Sequence, residues 1–421
     1  MSLTSRILAG LVAGLLLGAA LAAWAPAYVD PVAAVAEPVG GVWVDALKMT
    51  IVPLVFSLIV TGICSAAGAA QAGRTAALTL AVFAVGLVAA SAFGALTAEG
   101  LLALLPIPGG LREVAASGGA QAPETPGIAE WLRSFVPANP IKAAADGAIA
   151  SLVFFALIFG LALNKVAAVQ RDAMVGFFRT IVDAMLVVVG WVLWIAPIGV
   201  LALALVVGAR AGVGAAGALA HYIFIVSATL ALLTLVLFLL AGLALRLGLG
   251  RFVKAMSPAM AVAISTQSSL ATLPAMIEAS KDLSTPQRIR SLALPLAVSL
   301  FRVTSPPGNI AVALYVAHVY GVELTVLQIT LGVLVAAVVS LAAVGIASAA
   351  SFFTTLGPIC LAMGLPLELL PILLAVEFVP DIFRTIGNVT GDVTVTSLVS
   401  RLTGAQPGPE DLEEAQAAEA P

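Results

Sequence analysis

Charge is scarce in this chain: 19 Lys and Arg and 22 Asp and Glu among 421 residues, 10% in all. Soluble globular domains carry about a quarter of their residues charged, so a soluble fold is excluded. Cysteine is nearly absent as well. Cys64 and Cys360 lie in separate apolar segments, which suits no metal spacing and points to packing rather than a disulfide. His221 and His318 are equally isolated and read as packing residues, although a membrane histidine can relay protons. No phosphate-cradling Gly-rich loop ending in Lys and Ser or Thr occurs, so nothing supports ATP hydrolysis. No metal-ligand cluster or nucleophile–base pair speaks for an intramembrane enzyme.

What the sequence has in abundance is hydrocarbon: 61% of residues are hydrophobic and the mean hydropathy is +1.13. Apolar runs long enough to cross a bilayer recur at 7–24, 42–66, 76–104, 149–163, 181–207 and 218–245. The dyad alternation of a membrane barrel is missing, so these are helices. Residues 8–23 imitate a signal peptide, but the next run needs a first span to orient it, and 7–24 is taken as that span. Basic residues stay cytoplasmic. With Arg6 inside, Arg74, then Lys165, Arg171 and Arg179, then Arg246, Arg251 and Lys254 also fall inside, whereas Arg112, Arg133, Lys142 and Arg210 fall outside. A Pro-rich acidic tail with Glu410, Asp411, Glu413, Glu414 and Glu419 reads as disordered, and both termini are expected in the cytoplasm.

Beyond residue 250 the apolar segments become broken. Two short pieces within 252–281 flank the polar run Ser265-Thr266-Gln267-Ser268-Ser269, and neither is long enough to cross. A re-entrant helical hairpin is expected there. Segment 289–319 is interrupted at Thr304-Ser305-Pro306-Pro307-Gly308-Asn309, where prolines remove backbone donors. Residues 327–364 predict a second hairpin with Gly345, Ser348 and Ser351 at its turn. Then comes a polar helix: Glu377, Asp381, Arg384, Asn388 and Asp392, spaced by four, three, four and four, form one stripe on the apolar segment 369–402. Ionisable groups at membrane depth mark function. Hairpin, broken helix, hairpin and polar helix in series predict inverted repeats and a midplane transporter site; a proline kink within a bundle accounts for any single break. A channel shares interrupted helices but needs no substrate-specific ion pair.

The run Asp381-Ile-Phe-Arg384-Thr-Ile-Gly-Asn388-Val-Thr-Gly-Asp392 resembles the last helix of the dicarboxylate/amino acid:cation symporters, the glutamate transporter family. Thr266-Gln-Ser-Ser-Leu-Ala-Thr-Leu-Pro274 is similar to the family's serine-rich first hairpin. Leu294-Pro-Leu296, Leu47-Lys-Met-Thr-Ile-Val-Pro53, Asn139-Pro140 and Ala196-Pro-Ile-Gly199 match in order. The resemblance implies an all-α multi-pass protein of the bacterial inner membrane. It implies eight spans, two re-entrant hairpins and an elevator-type fold assembled as a homotrimer. Residues 1–250 would be mainly scaffold, with the third and sixth spans partly in the transport core, 251–403 that core, and 404–421 the tail.

By the same resemblance Arg384 holds the substrate's side-chain carboxylate and Asp381 its ammonium, while Asn388 and the hairpin around Ser268 and Ser269 hold the main carboxylate. Ser305 joins this set, and Thr385 adds a hydroxyl. The chemistry agrees, since a guanidinium forks onto a carboxylate and Asp counters an amine. A mutual ion pair between Asp381 and Arg384 that neutralises both is the plainer alternative. A dicarboxylate without an amine leaves Asp381 unpaired, which favours aspartate or glutamate.

The cation sites depart from the family. Where its broken helix carries Asn-Met-Asp-Gly-Thr, this chain has Phe301-Arg-Val-Thr-Ser305, and hard cations need oxygens. The third span keeps Ser91 between apolar Leu87 and Ala90. Asp392 and Asn388 remain as sodium ligands, and Arg302 is a candidate substitute cation; it could equally point to carbonyls or headgroups. Glu377 is the alternative coupling group, as a buried carboxyl that carries a proton. No cofactor is expected beyond sodium or a proton as the coupling ion. A proton-coupled carrier, an uncoupled exchanger of small carboxylates and a non-transporting sensor all remain open.

Overall fold

The computed structural model describes residues 3–71, 73–108, 136–211, 214–342 and 348–405. All regular structure among them is helical. Five helices are long and apolar enough to cross a membrane: Ser5–Trp24, Pro26–Ser65, Arg74–Leu104, Ala168–Trp194 and Ala216–Leu243. The acidic tail from 406 on, Arg112, Arg133 and the second hairpin's turn at 343–347, with Gly345, lie outside the described residues.

The chain runs through α1 (Leu3–Trp24), α2 (Val29–Gln71), α3 (Arg74–Leu104), α4 (Pro140–Ala145), α5 (Ile149–Leu163), α6 (Ala168–Trp194), α7 (Ala196–Ala211) and α8 (Gly214–Leu239). The first correction falls here. Segment 181–207 is not one helix but the end of α6 and most of α7, broken at Ile195. Pro197 lacks an amide proton and its ring clashes with the preceding turn, so a continuous helix is interrupted there.

The second half follows the expected order with shifted boundaries. α9 (Leu249–Thr266) and α10 (Leu273–Asp282) form the first hairpin. Its turn is made by Gln267, left-handed at φ 50°, and by Thr272, whose hydroxyl donates to the Ser268 carbonyl at 2.8 Å. At its base the Arg251 guanidinium donates to the Asp282 carbonyl and, at 2.9 Å, to Ser284 Oγ. α11 (Gln287–Leu300) and α12 (Ser305–Tyr320) are the broken helix. The break is Phe301–Thr304, upstream of the expected interruption, because Pro306 and Pro307 occupy the first turn of α12, where a missing N–H costs nothing. α13 (Val326–Ala342) and α14 (Ser348–Ala362) flank the second turn. α13 opens with a capping box: Thr325 N–H donates to Gln328 Oε1 at 3.0 Å, and Gln328 N–H to Thr325 Oγ1 at 3.3 Å. The striped segment is two pieces, α15 (Leu370–Val376) and α16 (Phe378–Thr403), with Glu377 at the joint.

Burial ranks these elements. Every residue of α12 from Ser305 to Ala317 is buried, so that helix is enclosed by protein on all sides. α6 instead presents Phe177, Trp191 and Trp194 outward, as a lipid-facing helix does. α1 lies parallel on α7: Gly10 faces Pro197, Gly14 faces Leu201 and Ala204, and Gly18 faces Leu205. Small residues four apart let backbones approach where no hydrophobic effect drives association. A Cβ at Gly14 would stand 2.6 Å from the Leu201 carbonyl oxygen. Gly14→Leu is therefore expected to destabilise the detergent-purified protein by about 1–3 kcal/mol, the usual cost of overpacking. Gly100→Leu, where nothing lies within 4 Å of the added Cβ, should leave thermal unfolding unchanged.

Candidate functional site

Two interruptions, the break between α11 and α12 and the joint at Glu377, converge with side chains of α14 on one buried cluster. Each interruption exposes backbone or side-chain polarity that a continuous helix would consume internally. The lining consists of Arg302, Ser305, Asn309, Phe352, Thr355, Glu377, Asp381 and Arg384.

Arg384, 7% exposed, is the centre. Its Nη2 donates to Glu377 Oε1 at 2.7 Å, and its Nη1 donates to Asn309 Oδ1 at 3.2 Å and to the Ser305 carbonyl at 3.4 Å. Its Nε stands 3.7 Å from Asp381 Oδ1. Glu377 receives a second bond from the other side, from the Tyr222 hydroxyl at 2.7 Å. Asn309 Nδ2 donates to Thr355 Oγ1 at 3.0 Å, which fixes the amide so that its oxygen faces the guanidinium. The plainer sequence reading paired Arg384 with Asp381; the short bond instead goes to Glu377, two turns away, and Asp381 is the looser partner. Gly308 makes the arrangement possible, since a Cβ there would lie 2.8 Å from Arg384 Nη1.

Below this layer Thr304 locks the break to α16. Its N–H donates to Asn388 Oδ1 at 3.0 Å, and its hydroxyl lies 2.7 Å from both that oxygen and the Arg384 carbonyl. Asp392 lies one turn deeper, 1% exposed, and neither of its oxygens accepts a hydrogen bond from a described residue. Phe301 stacks on Phe83, with centroids 4.8 Å apart at 26°, in an apolar cluster with Leu87, Ala90 and Val303. Ser91 donates to the Val333 carbonyl at 3.1 Å.

The structure thus brings together Arg302, Ser305, Glu377, Asp381 and Arg384 of the residues expected from sequence. Asn388 braces the break instead of lining the cavity, and the Thr385 hydroxyl is spent on the Asp381 carbonyl at 2.9 Å. Ser268 and Ser269 do not reach the cavity lining; Ser268 Oγ caps its own turn, accepting from Ala271 N–H at 3.2 Å. Sequence reasoning missed Tyr222, Asn309, Phe352 and Thr355. A tyrosine hydroxyl inside an apolar run gives the one hint at Tyr222, and Asn309 was visible only as part of the interruption. His318 and His221 are peripheral, bonded to Glu99 at 3.1 Å and to the Leu105 carbonyl at 3.0 Å. Both cysteines are buried free thiols.

The sequence profile of the sodium:dicarboxylate symporter family matches residues 3–402. The chain belongs to that family. It is accordingly a transport protein and not an enzyme. Among the family's members it is 29% identical over 412 residues to the proton/glutamate-aspartate symporter of Escherichia coli K12, covering 95% of this chain and 92% of that protein. It is 28% identical to the proton/sodium-glutamate symport protein of Bacillus subtilis, covering 96% and 93% of the two chains. It is 26% identical to C4-dicarboxylate transport protein 2 of Pseudomonas aeruginosa PAO1, covering 91% and 88%.

Inside this family member the Glu377–Arg384 pair is a buried ion pair, strongly asymmetric in its response to mutation. Removing one partner leaves an uncompensated charge and costs about 3–5 kcal/mol, whereas losing one hydrogen bond to the charged carboxylate costs about 1.5–3 kcal/mol. Glu377→Ala is expected to show the larger loss in chemical denaturation and Tyr222→Phe the smaller.

Proposed function

We propose that the protein is a proton-coupled secondary symporter of acidic amino acids, with the Arg384 cluster as its substrate site. The observation that carries this reading is the competition built around one guanidinium. Glu377 supplies Arg384 with a carboxylate at 2.7 Å, and a substrate carboxylate needs the same donors. The cavity leaves ≈ 20 Å³ for the centre of a water molecule, far short of a dicarboxylate, so binding requires Glu377 to yield its place. A carboxylate parted from its counter-charge at this depth is expensive, and taking up a proton removes that cost. Tyr222, Asp381, Arg384 and, across the cavity, Arg302 are the titratable or charged groups that face it. Aspartate and glutamate carry one net negative charge, so one proton per substrate keeps the charge of the site constant.

Asp381 completes the selectivity. It stands one turn from Arg384 with only a 3.7 Å contact to it, close enough to the fork to take the ammonium of the same substrate. The relatives' names, proton/glutamate-aspartate symporter and C4-dicarboxylate transport protein, bracket this class. The same reading carries an elevator motion of 251–403 against a scaffold from 1–250, a homotrimer, and cytoplasmic termini in a bacterial inner membrane.

Uptake of radiolabelled L-aspartate into proteoliposomes tests the function. An inward proton gradient should drive accumulation, Arg384→Ala should abolish it, and Glu377→Gln should retain counterflow while losing the response to the gradient. Accumulation by Glu377→Gln that still follows the proton gradient would remove Glu377 from coupling. Gly308→Ala, which crowds Arg384 without deleting it, is expected to weaken aspartate binding about tenfold, equivalent to ~1.4 kcal/mol. Asp381→Asn should lower the preference for aspartate over succinate in competition assays.

A further inference from the structure

Asp392 poses a charge problem that the substrate cluster does not solve. It is 1% exposed, and both oxygens lack a hydrogen-bond partner among the described residues. On its own helix the neighbours Val389, Val393 and Val395 are buried, and across from it Val303 packs on Gly391. None of these offers a donor. A buried carboxyl so placed is costly in its charged form unless a counter-charge reaches it.

One guanidinium is delivered to it. Arg302 sits between Phe301 and Val303 in the break, and the backbone there is tightly turned: Val303 N–H donates to the Phe301 carbonyl at 2.6 Å, and Ser305 N–H to the Arg302 carbonyl at 2.9 Å. Thr304 is tied to Asn388, one turn from Asp392. The flanking Phe301 and Val303 are committed to the apolar cluster, whereas Arg302 lines the cavity beside Asp381 and Arg384 of α16. The adjoining Val303 lies against Gly391, the residue before Asp392.

We propose that Arg302 is a tethered cation serving Asp381 and Asp392 in turn. When a substrate ammonium takes over Asp381, the guanidinium is released to Asp392, and the carrier completes its cycle without a dissolved metal cation at that carboxylate. The inference rests on reading the cavity as a carrier's binding site, but the pairing of Arg302 with Asp392 can be tested apart from transport.

Thermal unfolding of the purified wild type, Arg302→Met, Asp392→Asn and the double variant, each in sodium chloride and in choline chloride, decides it. Arg302→Met, which strands the carboxylates it serves, is expected to melt at least about 4 °C below wild type, and Asp392→Asn should raise the melting temperature of Arg302→Met by more than it raises that of the wild type, because it relieves a charge stranded by the loss of the guanidinium. Sodium should not shift the wild type. An Asp392→Asn substitution that raises Arg302→Met no more than it raises wild type, an unaffected Arg302→Met, or a wild type stabilised by sodium overturns the proposal. Aspartate counterflow in proteoliposomes adds the functional arm: the same rate in sodium and in choline supports it, and a requirement for sodium overturns it. If the wild type carries no acidic amino acid at all, the carrier reading fails while the melting comparison still decides the charge pair.

Discussion

A guanidinium held away from water is the constraint around which the second half of this protein is arranged. Arg384 in the middle of a membrane protein is tolerable only if its charge is balanced and its donors are used. Glu377 supplies the charge, Asn309 and the Ser305 carbonyl accept from the remaining edge, and Tyr222 holds Glu377 in place. The partners come from α8, α12 and the joint that opens α16, so these elements are mutually positioned around one side chain. The Ser305 carbonyl, in the first turn of α12, is reached by the guanidinium at 3.4 Å.

Such a cluster is suited to exchange rather than to rigidity. Its strong pair is one that a substrate carboxylate can reproduce, and its weak contact, Asp381 at 3.7 Å, is one that an ammonium can improve. Differential interaction of this kind is what lets a ligand shift a conformational equilibrium. The contact between α1 and α7 obeys a different rule: close glycine contacts fix these helices by shape alone, while an ion pair such as Lys48–Glu368, at 2.9 Å, stands at the surface.

The departure at Phe301–Ser305 shows how local sequence and function part company. An aromatic stack with Phe83 and a valine on Gly391 fill space with hydrocarbon where a cation site would need oxygens. The fold is kept because Thr304 still ties the break to Asn388 through its amide and hydroxyl.

Much of this was legible in the residues. Hydropathy alone determined the membrane setting and the early spans, because a helix that satisfies its own backbone in lipid must be long and apolar. The spacing of Asp381, Arg384, Asn388 and Asp392 determined that they share a helix face. Prolines and polar runs marked the hairpin and the break, although Pro306 and Pro307 turned out to start α12 rather than to lie in the gap, since the first turn tolerates them. Only the tertiary structure decided who pairs with whom: that Arg384 chooses Glu377 over its nearer neighbour Asp381, that Tyr222 and Asn309 belong to the site, and that Ser268 and Ser269 stand away from it. Periodicity records which face a residue occupies along its own helix, whereas a hydrogen bond depends on the distance and angle between helices, which only the packing of the whole chain sets.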